Sequence, residues 1–256
     1  MYPADMVSPD DRRHEGSQSF GAAAGVYEAG RPEYPEAAVR WLVPAPREVP
    51  THVVDVGAGT GKLTRGLVAA GCDVVAVDPD DGMLAVLRTA LPGIPTHVGT
   101  AESLPLDDAS VDAVVLGQAW HWVDPVDGSR EIGRVLRPGG SLGLIWNVRN
   151  DSVPWVRELN SIVPDGGTTA MFTAGPPPIA DPFGESEQQT WAWTSRVTRE
   201  RLAASVRSRS HYITAAPEER TEVDSRLDAL FECLRLTGDA TIELPYETQA
   251  FRYVRR

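Results

Sequence analysis

The sequence predicts an α/β fold: a mostly parallel central sheet with helices on both faces and an antiparallel strand at its C-terminal edge. Three observations carry this. Between residues 52 and 147, short apolar runs alternate with amphipathic segments of helical period, the rhythm of units whose crossover helices cover a parallel sheet. The first strand-to-helix join is broken by glycines, "GAGTG" at 57–61. Further on, "QTWAWTSRV" (189–197) and "YETQAFRYV" (246–254) alternate with a period of two, which suits antiparallel pairing at a sheet edge.

Each element can be justified in turn. A short helix follows "RPEYP", with Val39, Leu42 and Val43 on one side, before "VPAPREVP" resets the chain. "HVVDV" (52–56) is the first strand. "KLTRGLVAAG" (62–71) is a helix with Leu63, Leu67 and Val68 on its inward face and Gly71 as C-cap. "CDVVAVD" (72–78) is the second strand, and "PDDGMLAVLRTAL" (79–91) a helix with Met83, Leu84, Leu87 and Leu91 at helical spacing. "PTHVGT" (95–100) makes a weaker third strand and "VDAVVLG" (111–117) a fourth. A helix over "GSREIGRVL" (128–136), the turn "RPGG" and a fifth strand "SLGLIW" (141–146) complete the series. Residues 151–185 carry few periodic apolar positions and read as a long irregular segment. Helices follow over "RERLAASVRS" and "PEERTEVDSRLDALFECLRL".

Composition bounds the function. A chain of 256 residues, 42% hydrophobic, is long enough for one enzyme-sized core. Its formal net charge of −12, with no basic block, disfavours nucleic acid as partner. No apolar run approaches the roughly 20 residues of a membrane span, and the polar first twenty residues lack a signal-peptide core, so a mobile N-terminal segment and a cytoplasmic location, with no membrane partner, are expected. Cys72 and Cys233 lie far apart and read as reduced packing residues, and the five histidines show no paired spacing, so no metal is expected.

"VVDVGAGTGKL" is the most informative stretch. Gly57, Gly59 and Gly61 let backbone approach a ligand closely, and the following helix offers free N–H donors. A dinucleotide fingerprint would need glycine where Lys62 or Thr64 stands, and a Walker A loop is broken at Val56 and Leu63. What remains is Asp55 before the glycines, Asp78 closing the second strand and Glu102 after the third. Three carboxylates with no second basic residue near the turn suit a cationic, phosphate-free nucleoside, although Lys62 can serve an anionic group.

"VVDVGAGTG", "VDPDDGML", "GTAESLPL", "VDAVVLGQAWHWVD" and "EIGRVLRPGGSLGLIWN", in this order, resemble the class I S-adenosylmethionine-dependent methyltransferases, and within them the type 11 branch related to trans-aconitate methyltransferases. The resemblance covers residues 20–150 and extends loosely to the end. It implies a Rossmann-like methyltransferase fold, with S-adenosylmethionine as cofactor, S-adenosylhomocysteine as product and a small-molecule methyl acceptor. By position, Gly57, Ala58, Gly59 and Gly61 would line the methionine part, Asp55 would orient its amino group and Asp78 would bind the ribose beside Pro79 and Met83. Ala101 and Glu102 would flank the adenine, Gln118 would lie beside the methionine, and Tyr27 and Arg31 would close over the cofactor from an N-terminal lid. One domain is expected over 21–256: lid (21–50), cofactor core (51–150), substrate cover (151–240) and final strand (241–256), as a monomer or homodimer.

"GQAWHWVDP" (117–125) follows the fourth strand, where open α/β folds place ligands. His121 is the candidate catalytic residue, as base or as positioning group, with Trp120 or Trp122 walling the cavity. Trp155, Trp191 and Trp193 read as core or edge aromatics, and Asn147, Arg149, His211 and Tyr212 as groups able to meet a substrate. Two other readings stay open: a nicotinamide-dependent oxidoreductase, and a cofactor-binding protein without transferase activity.

Overall fold

The computed structural model describes residue 28 and residues 30–44, 50–163 and 175–256. The expected mobile segment 1–20 and Tyr27 lie outside these residues. The elements are α1 (Glu36–Leu42), β1 (His52–Val56), α2 (Lys62–Ala69), β2 (Asp73–Asp78), α3 (Asp81–Ala90), β3 (Thr96–Val98), β4 (Val111–Gly117), α4 (Pro125–Val135), β5 (Leu136–Arg149), α5 (Pro154–Ile162), β6 (Phe183–Thr198), α6 (Arg199–Arg207), α7 (Ser210–Thr214), α8 (Pro217–Cys233) and β7 (Thr241–Arg255). A single 3₁₀ turn, Trp120–Trp122, follows β4.

The seven strands form one sheet in the order β3-β2-β1-β4-β5-β7-β6. β3 to β5 pair in parallel, while β7 runs antiparallel to both β5 and β6. This is the predicted mostly parallel sheet with one strand, β7, running against the rest; it lies one position inside the edge, which β6 occupies in the direction of the parallel strands. From β1 the chain winds outward through β2 and β3, then returns beside β1 as β4 and winds the other way. The β1/β4 boundary is therefore the topological switch point, beyond whose carboxyl ends such folds hold ligands.

Alternation along the strands builds two layers. Val53, Ala113 and Val115 face α1 and α2, meeting Leu42, Leu63 and Leu67. Val54, Val114 and Leu116 face the opposite way, onto Ile132 and Val135 of α4. Local chemistry sets the helix ends. Asp80 caps α3, its carboxylate accepting from Gly82 N at 2.8 Å, and Asp124 caps α4, which opens with Pro125. Gly71, at φ +85, ends α2 as expected, and Cys72 N donates back to the Leu67 carbonyl at 3.1 Å.

A second apolar core gathers α5, α6 and α8 around Val156, Leu159, Leu202, Leu227 and Phe231, closed by Val197 and Leu244. β5 pairs with residues 246–254 of β7, while residues 241–245 pair with β6 alone. The β6–β7 ribbon thus overhangs the carboxyl edge of the sheet and carries the second core there. Among the described residues β6 is the last strand on its side, and residues 187–190 are exposed.

Four expectations are corrected. Val68 lies on the outward side of α2, 38% exposed, and Thr64 takes the inward position because the helix turns its face toward Leu63 and Leu67. The segment expected to be irregular contains α5, whose Val156, Leu159 and Ile162 recur every third residue and are buried. The turn at 137–140 is absorbed into β5 as a register shift against β4, with Gly139 at φ +77. Cys233 is exposed at the end of α8 and does no packing.

Candidate functional site

The carboxyl edge of the sheet brings together the glycine turn after β1, the end of β2, the segment after β4 and the end of β5. Gly57, Gly59 and Gly61 have φ of +68, +55 and +87. Space reinforces the requirement at two of them. A Cβ on Gly57 would sit 2.6 Å from that of Ala119, and one on Gly61 2.9 Å from Leu87 Cγ. The turn is held to β2 by Gly57 N and Ala58 N, which donate to the Val77 carbonyl at 2.8 and 3.1 Å.

Two buried carboxylates frame the turn. Asp78 accepts from Gly59 N at 2.8 Å on one oxygen and from Asp80 N at 2.9 Å on the other. Burial pushes its pKa up to about 6 against those two hydrogen bonds. Asp55 is 1% exposed; its Oδ2 accepts from the Thr64 hydroxyl at 2.6 Å, while Oδ1, buried, has no hydrogen-bond partner. Burial raises Asp55 to about 7; the Thr64 hydroxyl opposes the shift and the Asp78 charge adds to it. An unsatisfied buried acceptor at the floor of a glycine turn calls for a donor, ideally cationic.

The other predicted positions are distributed as follows. Ala58 and Met83 are buried, the Met83 methyl 3.5 Å from where a Gly59 Cβ would lie, and Pro79 is half-buried. Ala101 packs in the main core, and Glu102 accepts from Asp124 N at 2.9 Å, tying the loop after β3 to the cap of α4. Gln118 has φ +59, rare for a residue with a side chain; its N donates to the Ile145 carbonyl at 2.9 Å and its Nε2 to the Asn147 carbonyl at 3.0 Å. Trp120 is buried, its indole N–H donating to the Pro178 carbonyl at 3.1 Å, which leaves Trp122 as the more open ring.

His121 lies beside Trp122, with ring centroids 4.8 Å apart. Its surface is open to solvent, although neighbouring protein atoms surround it. That crowding first, and the Arg31 charge second, lower its pKa. Solvent access limits the displacement, but both influences point the same way, so the imidazole is neutral at pH 7.

Residues 28 and 30–35 approach this edge as a strap. Glu28 accepts from the Thr60 hydroxyl at 2.6 Å and pairs with Lys62 at 3.1 Å and Arg65 at 2.6 Å; Glu33 also meets Arg65, at 3.1 Å. Burial pushes the Glu28 carboxyl up, but these donors and charges outweigh it and hold it below its ordinary value. Lys62, expected to be available to an anion, is thus neutralised by the strap, and Arg65 is a second basic residue near the turn that the sequence reading passed over. On its other side the strap packs on α6: a Cβ on Gly30 would collide with the Ala204 backbone at 2.5 Å, and Arg31 Nη2 donates to the Ser208 carbonyl at 3.3 Å. Glu28 and Glu33 were missed because their partners lie about thirty residues away.

Of the residues considered for substrate contact, Asn147 and Arg149 lie at the carboxyl end of β5, Arg149 donating to Ser205 Oγ at 2.9 Å. Tyr212 donates to Asp224 at 2.9 Å, and His211 is exposed. The tryptophans serve packing: Trp191 meets Trp41 edge-on at 5.8 Å, Trp193 stacks on Tyr246 at 4.9 Å, and Trp155 packs against the second core. A separate hollow of about 290 Å³, beside His52, Asp73, Asp107 and Ser110, lies at the opposite, amino edge and so away from the switch point. Among the described residues no group of three His, Cys, Asp or Glu is placed to hold a metal, and no helix is long and apolar enough to cross a membrane.

The doubly wound sheet, with a glycine turn and paired carboxylates at its switch point, defines the class of Rossmann-like methyltransferases. Residues 54–144 match the family model described as a methyltransferase domain. An uncharacterized methyltransferase of Mycobacterium tuberculosis is 46% identical over 241 residues, covering 94% of this chain and 97% of its own, and the chain belongs to that methyltransferase family. A malonyl-[acyl-carrier protein] O-methyltransferase of Methylococcus capsulatus is 42% identical over 136 residues, 48% of each chain. A phosphoethanolamine N-methyltransferase of Haemonchus contortus, solved with S-adenosylhomocysteine, shares the fold at a TM-score of 0.54 and 16% identity, covering 99% of this chain and 61% of its own.

Proposed function

We propose that this methyltransferase moves the methyl group of S-adenosylmethionine to an oxygen or nitrogen of a small-molecule acceptor, with a carboxylate or hydroxyl oxygen fitting best. The observation that carries the cofactor assignment is the orphaned, buried Oδ1 of Asp55 beneath three glycines of positive φ. It is a partner for an ammonium group, and a cation there would return Asp55 to its ionised form. When bound, S-adenosylmethionine supplies a methyl group already activated on a sulfonium, so the protein has chiefly to align donor and acceptor and exclude water.

Each residue then has a task. Gly57, Ala58, Gly59 and Gly61 give backbone access, and Met83 faces the turn. Asp78 has used one lone pair on each oxygen and keeps the others for two ribose hydroxyls. Pro79, Ala101, Glu102 and Trp120 form the surroundings of the base, and Gln118 those of the methionine. Residues 28–35 with Arg31, together with Tyr27, serve as the lid, and residues 151–240 as the acceptor cover. His121, neutral at pH 7, accepts a proton from a hydroxyl or amine acceptor, whereas for a carboxylate it only positions. The Arg31 charge, felt at His121, favours an anionic acceptor, and the O-methyltransferase among the relatives supports oxygen.

Titration calorimetry of the folded protein with S-adenosylhomocysteine tests the cofactor assignment, and isotope-labelled methyl transfer over a panel of carboxylic acids, phenols and amines tests the acceptor. Binding abolished in Asp55→Leu but present in the wild type is expected. Absence of binding in the wild type, or binding of NAD in its place, would overturn the reading.

A further inference from the structure

Asn147, at the carboxyl end of β5, is 8% exposed and has every side-chain contact directed by its neighbours. The Trp193 indole, which can only donate, gives its N–H to Thr248 Oγ1 at 2.8 Å. The Thr248 hydroxyl, fully buried, passes its single proton to Asn147 Oδ1 at 2.6 Å. The amide is thereby oriented, and its Nδ2 donates to the Glu33 carbonyl of the strap at 3.1 Å. A flipped amide would face the Glu33 carbonyl, which can only accept, with an oxygen and lose that hydrogen bond. The backbone carbonyl of the same residue receives Gln118 Nε2 at 3.0 Å, one of two hydrogen bonds tying the left-handed Gln118 to β5.

We propose that Asn147 is a positioning residue of the methyltransferase site, and that the directed chain Trp193–Thr248–Asn147 fixes the strap through the Glu33 carbonyl. Its polarity runs one way, from the outer strand β6 through β7 and β5 to the strap, so the C-terminal ribbon sets where the strap lies. The strap in turn bonds to Thr60 within the glycine turn. Cofactor retention therefore depends on two side chains, Trp193 and Thr248, that belong to the ribbon rather than to the parallel core. The inference rests on the cofactor reading above for its binding consequence, but the strap can be observed without any ligand.

Thr248→Val keeps the shape of the side chain and removes both ends of its relay; Thr248→Ser keeps the hydroxyl. Hydrogen exchange of residues 30–35 in the ligand-free protein and stopped-flow release of S-adenosylhomocysteine are the measurements. Thr248→Val should raise exchange in that segment about tenfold and speed release about tenfold, with exchange in β1 and β4 unchanged and Thr248→Ser within twofold of wild type. Asn147→Asp, which still accepts from Thr248 but cannot donate to Glu33, should reproduce the effect at pH 7 and serves if the valine variant does not fold. Wild-type exchange of residues 30–35 in these variants would overturn the inference. If the wild type binds no S-adenosylhomocysteine, the cofactor reading fails on that result, and the exchange data still decide the relay.

Discussion

In the parallel half, α2, α3 and α4 pack on the strands that flank them in sequence, the caps are made by residues a few positions apart, and the glycine turn is held by Val77 and Asp78 of the next strand. In the C-terminal half, α5, α6 and α8 pack on one another and on an overhanging ribbon, through contacts between distant parts of the chain. The first half supplies the carboxylates and open backbone of the site; the second supplies a cover and holds the strap, at Arg31 through Ser208 and at Glu33 through Trp193 and Thr248 acting on Asn147. The division teaches that cofactor chemistry can be built from local geometry, while closure over it is built from long-range contacts and can change independently.

The largest expected effect breaks the comparison at the second core. Phe231, 1% exposed among the α5–α8 side chains, should cost about 3–5 kcal/mol when replaced by alanine. Hydrogen exchange should show protection lost in α5 and α8 while β1, β2 and β4 keep theirs. Uniform loss across the sheet would mean that the two cores unfold as one.

Asp55→Asn sharpens the parallel side. A carboxyl whose folded pKa is raised from 3.8 to about 7 contributes stability at low pH that is lost as pH rises through the folded value. The ligand-free wild type should therefore lose about 2–3 kcal/mol relative to the variant between pH 5 and pH 8. Urea unfolding at both pH values reads this, and a constant difference would refute the raised pKa. The same variant should bind S-adenosylhomocysteine poorly, since an amide offers the ammonium group no charge.

Two smaller effects probe the strap between the halves. Imidazole NMR should place the His121 pKa below the ordinary 6.5, and Arg31→Gln should move it up by less than one unit. An unchanged His121 titration would separate Arg31 from the site. Glu28→Gln removes one carboxylate from partly exposed pairs with Lys62 and Arg65 and should cost about 0.5 kcal/mol or less, an effect that fades in high salt. Its measure is the salt dependence of S-adenosylhomocysteine affinity, which should be shallower than in the wild type.

The same division explains what could be read from the residues. The strands, the glycine turn and the caps announce themselves locally, so β1 to β5, Gly71 and the mostly parallel sheet were legible. Asp55 and Asp78 were legible as a pair because Asp55 directly precedes the last residue of β1 and Asp78 closes β2, but the orphaned Oδ1 depends on how Thr64 faces inward, a position assigned to Val68 instead. α5 escaped notice because Val156, Leu159 and Ile162 sit in a short helix between loops, too brief for a clear period. The bonds from Thr248 to Asn147, 101 residues apart, and from Asn147 to Glu33, 114 apart, have no local signature at all.

The outer strand β6 bears on solubility. A sheet edge of 16 residues is a template for pairing with other chains, and its stretch 188–195, "QQTWAWTS", carries no charge. Charges bracket it: Glu185 and Glu187 before, Arg196 after, with Glu187 engaged by Arg252 and Arg196 3.6 Å from Glu243. Those few ionised groups are placed as gatekeepers against edge-to-edge pairing, at a strand remote from the glycine turn.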